Sequence, residues 1–297
     1  MPHFVTPEGT SINYETYGAA GLPPVILLHG LAADLKIWAP QIIEFQKHFQ
    51  VFALDLPGHG DSDRQASYSI HALPRLIQQF MDALQVEKAH LVGLSIGSTA
   101  ALLFAAQYPQ STLSLVLEGP AGGVVPLASP RGWIEYIQLK LTLMGIFAMW
   151  AVLGKQISGK IINWIGQTYK YSTLLTGMEE KVDSKALVDF SFSNADAPYG
   201  NQLGQITVPT LIIRGVDDQF PRRYSQYVKD NINALCFWLE IPEAHHLVAL
   251  EKPLEFNLAA MSFIRNFQEL HSKEVLVAAT GLREPRMLKS RPKRTSL

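Results

Sequence analysis

Cysteine is all but absent from this sequence. Cys236 stands alone among 297 residues, so no internal disulfide can form and the fold needs no oxidising compartment. Charge is sparse as well. Only 17% of residues are charged, and a formal net of -1 exerts no global pull toward nucleic acid, so no nucleic-acid partner is expected. The uncharged stretch 141–153 (LTLMGIFAMWAVL) is shorter than the roughly twenty apolar residues that span a bilayer. The opening residues MPHFVTPEG have neither a basic start nor an apolar continuation, so no secretory signal is visible and a cytoplasmic location is expected. His59 and His90 are isolated, and no pair has ligand spacing with a third group, so no metal is expected. Nothing in the sequence asks for a cofactor.

What is present suits one large α/β domain with an insertion. At 47% hydrophobic the chain can bury a sizeable core. Short β-branched runs at 25–28, 51–54, 89–93, 113–117, 210–213 and 235–241 alternate with helical patterns at 37–49, 69–84, 97–108, 223–231 and 253–270. That alternation predicts a mostly parallel sheet with helices on its faces. The start reads antiparallel, with 4–5 and 12–17 flanking the turn signal Pro7-Glu8-Gly9-Thr10. Pro74 is expected early in its helix. The alternation breaks once, at 122–201, which is helix-like throughout. It follows the sixth strand and so predicts a helical cap over the strand C-terminal ends, where open α/β sheets bind ligands. The division is then core 1–122 and 202–271, cap 123–201, and a basic tail 272–297. The last seventeen residues carry a net charge of +5, leaving -6 on the body, and their composition predicts disorder.

Four signals carry chemistry. Gly93-Leu94-Ser95-Ile96-Gly97 fits G-x-S-x-G between a strand and a helix, the context in which a sharp turn exposes a serine hydroxyl above a sheet. The helix N-terminus then offers N–H groups and a positive dipole to a developing oxyanion, with Ile96 N–H as one donor. His29-Gly30 directly follows the strand 25–28, and Leu31 stands where a second oxyanion N–H is needed. The loop after the last strand holds His245-His246. A weakly nucleophilic hydroxyl needs a base that titrates near neutrality, and either histidine can serve. Asp217-Asp218 follows the strand 210–213 and can supply the carboxylate that orients the base, while one of the pair can cap the next helix. Glu118, after the strand 113–117, is a further candidate acid. Cys236 reads as a core residue.

From about residue 3 to 271 the chain resembles the α/β-hydrolase superfamily, in its capped esterase and C–C-hydrolase-like branch. The resemblance rests on His29-Gly30, on Asp55-Leu-Pro-Gly58-His59-Gly60-Asp-Ser62, on the Ser95 elbow, on the Asp217/Asp218 loop and on His246 with Glu251 and Pro253. It implies an α/β-hydrolase fold with Ser95 as nucleophile. Family spacing places the histidine five residues before a glutamate, which selects His246. It places the acid three residues after a glycine and four before a proline. Gly215 gives Asp218 and Pro221 gives Asp217, and the glycine count, measured from the strand end, selects Asp218. The Asp55–Ser62 loop is expected to be structural.

The apolar stretch 141–153 predicts a greasy wall, with Phe147 and Trp150 beside His29 and Gly30 in the substrate pocket. The expected partner is a small hydrophobic ester or acyl compound, with peripheral lipid contact through the lid or the basic tail as the lesser reading. Ester hydrolysis through an acyl-enzyme leads. C–C hydrolysis of vinylogous diketones, lactonase and thioesterase activity stand behind it, and a non-catalytic hydrolase-like receptor is the reading from another class.

Overall fold

The buried runs become the centre of an eight-stranded sheet in the computed structural model, which describes residues 2–120, 181–196, 200–218 and 222–280, with isolated positions 134, 137, 138, 141, 144, 145 and 178. Strands β1 (His3–Val5), β2 (Ser11–Tyr17), β3 (Pro24–Leu28), β4 (Gln50–Leu54), β5 (Ala89–Leu94), β6 (Thr112–Glu118), β7 (Thr210–Gly215) and β8 (Cys236–Ile241) lie in the order β1-β2-β4-β3-β5-β6-β7-β8. The β1–β2 and β2–β4 pairs are antiparallel and all others parallel, as the sequence pattern predicts. The opening hairpin closes through the Thr6 N–H on Thr10 O, with Gly9 at φ +89. That left-handed backbone favours glycine.

The helices are α1 (Ala39–Phe45), α2 (Leu73–Ala83), α3 (Ile96–Gln107), α4 (Ser184–Asp196), α5 (Gly200–Leu203), α6 (Arg222–Asn231), α7 (Val248–Glu251) and α8 (Pro253–Thr280). Because strand side chains alternate, each central strand feeds two cores. Ile26, Leu28, Phe52, Leu54 and Leu91 pack with Ile77 and Phe80 of α2 and with α3. Val25, Leu27, Val51, Ala53 and Val92 pack with Ile42 and Phe45 of α1 and with Phe256 and Phe263 of α8. Full burial of each such side chain contributes about 1.5–3 kcal/mol, so doubly covered strands are the strongest part of the fold.

Three helix boundaries differ from expectation. The predicted helix 37–49 is a 3-10 turn, Leu35–Trp38, capped by the Asp34 carboxylate, then α1 with Pro40 in its first turn; the chain leaves it after Phe45. The predicted helix 69–84 starts as the 3-10 turn Ile70–Ala72, capped by Ser69, and Pro74 sits in the first turn of α2, where no N–H is needed. The last helix passes the expected end at residue 270 and reaches Thr280, so the first part of the supposed basic tail is helical. The most basic part of the tail, 281–297, lies outside the described residues, as does most of 123–180. No described helix is long and apolar enough to cross a membrane.

The Asp55 loop is a hub. Asp55 accepts Leu35 N–H and Asn13 Nδ2–H at 2.8 Å and Asp61 N–H at 2.9 Å, and Ser62 Oγ–H donates to its carbonyl at 2.7 Å. A side chain at Gly60 would overlap that carboxylate. The loop also holds α4, through Asp183 N–H on Gly58 O, while Tyr68, a few residues on, donates its hydroxyl proton to Asp183 at 2.6 Å.

Candidate active site

Parallel strands aim their C-terminal ends at one edge of the sheet, and every residue singled out for chemistry leaves from that edge: His29 after β3, Ser95 after β5, Glu118 at the end of β6, Asp218 after β7 and His246 after β8. Ser95 has φ +53 and ψ -112, a strained turn for a non-glycine residue. Its N–H is spent on Glu118 O at 2.9 Å. The two motif glycines make the turn fit. A side chain at Gly93 would overlap the Gly97 carbonyl, and one at Gly97 would overlap the Leu28 carbonyl of β3. From Ala89 to Ala106 every residue is buried except Ser95. The serine is therefore the one opening in an otherwise closed strand–turn–helix unit.

His246 Nδ1 lies 3.1 Å from Asp218 Oδ2. An ionised carboxylate only accepts, so with Asp218 ionised the bond is donated by His246 Nδ1–H. Asp217 is exposed, and its N–H donates to Ala244 O. The glycine count thus finds the carboxylate that meets the histidine. Gly215 explains why. A side chain there would overlap the carbonyls of Ala244 and His245, so the acid loop and the histidine loop cross at that glycine and are registered by it. Arg214 was not foreseen. Buried beneath the loop, it donates to Gly215 O at 3.2 Å and Asp218 O at 3.1 Å.

His245 is engaged elsewhere. Its ring lies 2.9 Å from Glu251 Oε2, which also accepts the His245 N–H, while Oε1 accepts Leu247 N–H. The glutamate five residues after His246 therefore ties down the loop backbone and the neighbouring ring. Glu118, the other candidate acid, points to α7, where Oε1 accepts Ala249 N–H at 3.0 Å. Burial pushes its carboxyl up to about 8, helped by the charges of Glu251 and Asp218 and opposed by N–H donors from Ala249 and Val248.

His29 corrects an expectation. It is completely buried, its Nε2 accepts Leu56 N–H at 2.9 Å and its Nδ1 donates to Gly30 O at 2.7 Å, so it braces the loop and does not line a pocket. Gly30 is buried, and its missing side chain would face Leu94. Leu31 is half-buried, and Ala32 follows at φ +61. Ile96 opens α3, where first-turn N–H groups have no intrahelical acceptor. Phe147 and Trp150 lie outside the described residues. Leu141 and Met144, from the stretch expected to wall the pocket, are more than half exposed, as are Ile134 and Ile137. Cys236 is half-buried, and burial pushes its thiol up to about 11, so it is unreactive.

Burial also sets a pH signature. Desolvation lowers His29 to about 4 and His59 to about 3, so the folded state binds fewer protons than the unfolded chain below about pH 6.5 and loses stability as pH falls. Glu118 has the opposite sense. Its folded value lies above the unfolded one, so it costs stability progressively from about pH 4.5 to about 8. In calorimetry, Glu118→Gln should therefore gain on the wild type between pH 5 and pH 8, by about 2 °C or more in the difference of melting temperatures. A difference that stays flat with pH would refute the assignment.

The comparisons fit this geometry. Residues 23–253 match the α/β hydrolase fold family, and the chain belongs to it. It is a hydrolase of that family. It is similar to 3-oxoadipate enol-lactonase 2 of Acinetobacter baylyi, 27% identical, over 89% of this chain and 96% of the relative. It is 27% identical to the dihydrolipoyllysine-residue acetyltransferase component of the acetoin cleaving system of Cupriavidus necator, over 86% of this chain but only 66% of the relative's length. Among solved structures an esterase from Exiguobacterium antarcticum superposes with a TM-score of 0.75 at 21% identity, over 89% of this chain and 98% of that one, which shows a shared fold.

Proposed function

We propose that this protein is a serine hydrolase that cleaves carboxylic esters of apolar substrates through an acyl-enzyme on Ser95. His246 Nε2 takes the hydroxyl proton as Ser95 Oγ attacks the carbonyl carbon. Asp218 holds the tautomer and stabilises the imidazolium. The N–H groups of Ile96 and Leu31 receive the oxyanion. The imidazolium returns its proton to the leaving alkoxide, and water then releases the acid by the reverse sequence. The observation that carries this reading is that Ser95 alone is only half-buried in an otherwise buried elbow, at the strand edge that also holds the His246–Asp218 pair.

Fluorophosphonate labelling tests the nucleophile, and a p-nitrophenyl ester series tests the substrate. The expected result is one label on Ser95 and a kcat/KM at least about tenfold higher for octanoate than for acetate, since each buried methylene adds binding energy. A label elsewhere sinks the mechanism, and a preference for acetate sinks the apolar substrate. Likeness to an enol-lactonase along 96% of that protein favours a second reading, in which the ester is cyclic. Assay of lactones beside open-chain esters of equal carbon number separates the two.

The lesser expectation, lipid contact, gains support from the exposure of Ile134, Ile137, Leu141 and Met144. Residues 136–178 carry four lysines and no acid, which suits an anionic bilayer surface. Ile137→Lys with Met144→Lys should remove co-sedimentation with phosphatidylserine vesicles while leaving hydrolysis of a soluble acetate ester unchanged. Undiminished co-sedimentation, or none in the wild type, refutes the contact.

A further inference from the structure

Glu118 stands between the two halves of the site and touches both. It is paired with Leu94 across the β5–β6 ladder, so the next step of β5 brings Ser95 against its main chain. The Glu118 carbonyl accepts the Ser95 N–H and the Ser98 hydroxyl, both at 2.9 Å. Its side chain turns the other way. Oε1 accepts Ala249 N–H at 3.0 Å, and the Val248 N–H dipole also favours the ionised carboxyl. Those are the first N–H groups of α7, the turn that begins two residues after His246. The next residue, Gly119, has φ +51 and lies against the histidine ring. A side chain there would come within 2.8 Å of Cε1 and 3.0 Å of Nδ1 of His246.

A core-filling role does not explain this residue. Glu118 is completely buried, and its Oε2 meets no hydrogen-bond partner among the described residues. Burying a carboxyl with one unsatisfied oxygen costs free energy that a leucine would avoid. Its one evident return is the acceptor for the otherwise orphaned N–H groups of α7. Nor is it the acid of the reacting group, since His246 Nδ1 is held by Asp218. We infer that Glu118 is a positioning residue that sets the spacing of Ser95 and His246, its main chain holding the nucleophile and its side chain the loop of the base. The inference rests on the reading of Ser95 and His246 given above.

The test uses the full chain as wild type, Glu118→Gln, Glu118→Asp and Glu118→Leu. Glutamine keeps an acceptor at the same reach, aspartate keeps the acid but falls a methylene short, and leucine keeps the volume alone. Steady-state hydrolysis of p-nitrophenyl butyrate and the rate of fluorophosphonate labelling are measured, with melting temperatures on the same samples. Aspartate and leucine are expected to lower kcat and the labelling rate by about 10²-fold, as misplacement of reacting groups by about 1 Å does. KM should stay within about threefold, since substrate binding is not the affected step. Glutamine should keep at least about a third of kcat. Should the leucine variant not fold, the contrast between glutamine and aspartate carries the test. Aspartate retaining kcat within about threefold overturns the inference, and so does glutamine losing as much as aspartate. Labelling of the wild type separates the two levels of the reading. An unlabelled Ser95 refutes the assigned nucleophile and the inference with it. A labelled wild type with an unimpaired aspartate variant refutes the inference alone.

Discussion

Ser95→Ala is expected to remove ester hydrolysis by about four orders of magnitude or more, together with all fluorophosphonate labelling, and to leave the melting temperature within a few degrees of the wild type. Among the described residues the serine hydroxyl makes no hydrogen bond that the fold depends on. The elbow is held by the Ser95 main chain and by the Ser98 hydroxyl on Gly93 O and Glu118 O. Alanine tolerates φ +53 no worse than serine does, so the strain is unchanged. Any residual rate is expected to come from binding and the proposed oxyanion donors alone. A folded Ser95→Ala protein that keeps a tenth of the activity would place the chemistry elsewhere.

The second large effect is a contrast between neighbours. His246→Ala should lower kcat by about 10⁴-fold or more, and Asp218→Asn by about 10⁴-fold, because the amide no longer selects the tautomer with a free Nε2. His245→Ala and Asp217→Asn should each stay within about tenfold of the wild type, since His245 is paired with Glu251 and Asp217 faces solvent. Stopped-time assays at pH 8 on the four variants, beside their melting temperatures, decide it. Loss of kcat in Asp217→Asn with Asp218→Asn intact would reverse the acid assignment. Loss in His245→Ala without a matching fall in melting temperature would reverse that of the base.

Much of this was legible in the sequence because the features involved are local. Buried parallel strands are continuous apolar runs, and a strand, a G-x-S-x-G turn and a helix are contiguous along the chain. All eight strands and the elbow therefore agree with the sequence pattern. The Asp217/Asp218 ambiguity was legible only as a conflict between two counts. The crossing at Gly215 shows why the count from the strand end has physical meaning: the loops meet at the glycine. What stayed illegible depends on contacts between distant segments. Arg214 reads as an ordinary charged residue until its guanidinium is seen on the Asp218 carbonyl. Glu118 reads as an alternative acid until β6 is paired with β5 and its side chain reaches Ala249, 131 positions later. His29 looks like a pocket residue from its motif, yet both of its nitrogens serve the loop. Helix ends were missed where proline and a capping side chain convert the first turn to a 3-10 geometry, a choice made by local hydrogen bonds that apolar periodicity does not register.

Helix α3 has a consequence of a different kind. It is buried on every side from Ile96 to Ala106, with small residues at Gly97, Ser98, Ala100 and Ala101 that let it press on the sheet. Such a segment is expected to open to solvent only when the whole domain does, so its amide protons should report the free energy of global unfolding. The histidine loop is half-buried and sits beyond the last strand. The proposed nucleophile and base are thus mounted differently, one on a fully buried helix and the other on a half-buried loop held by Glu251 and Glu118. If the proposed roles hold, mild denaturant is expected to displace His246 while Ser95 still stands in place, which hydrogen exchange read at both segments would check.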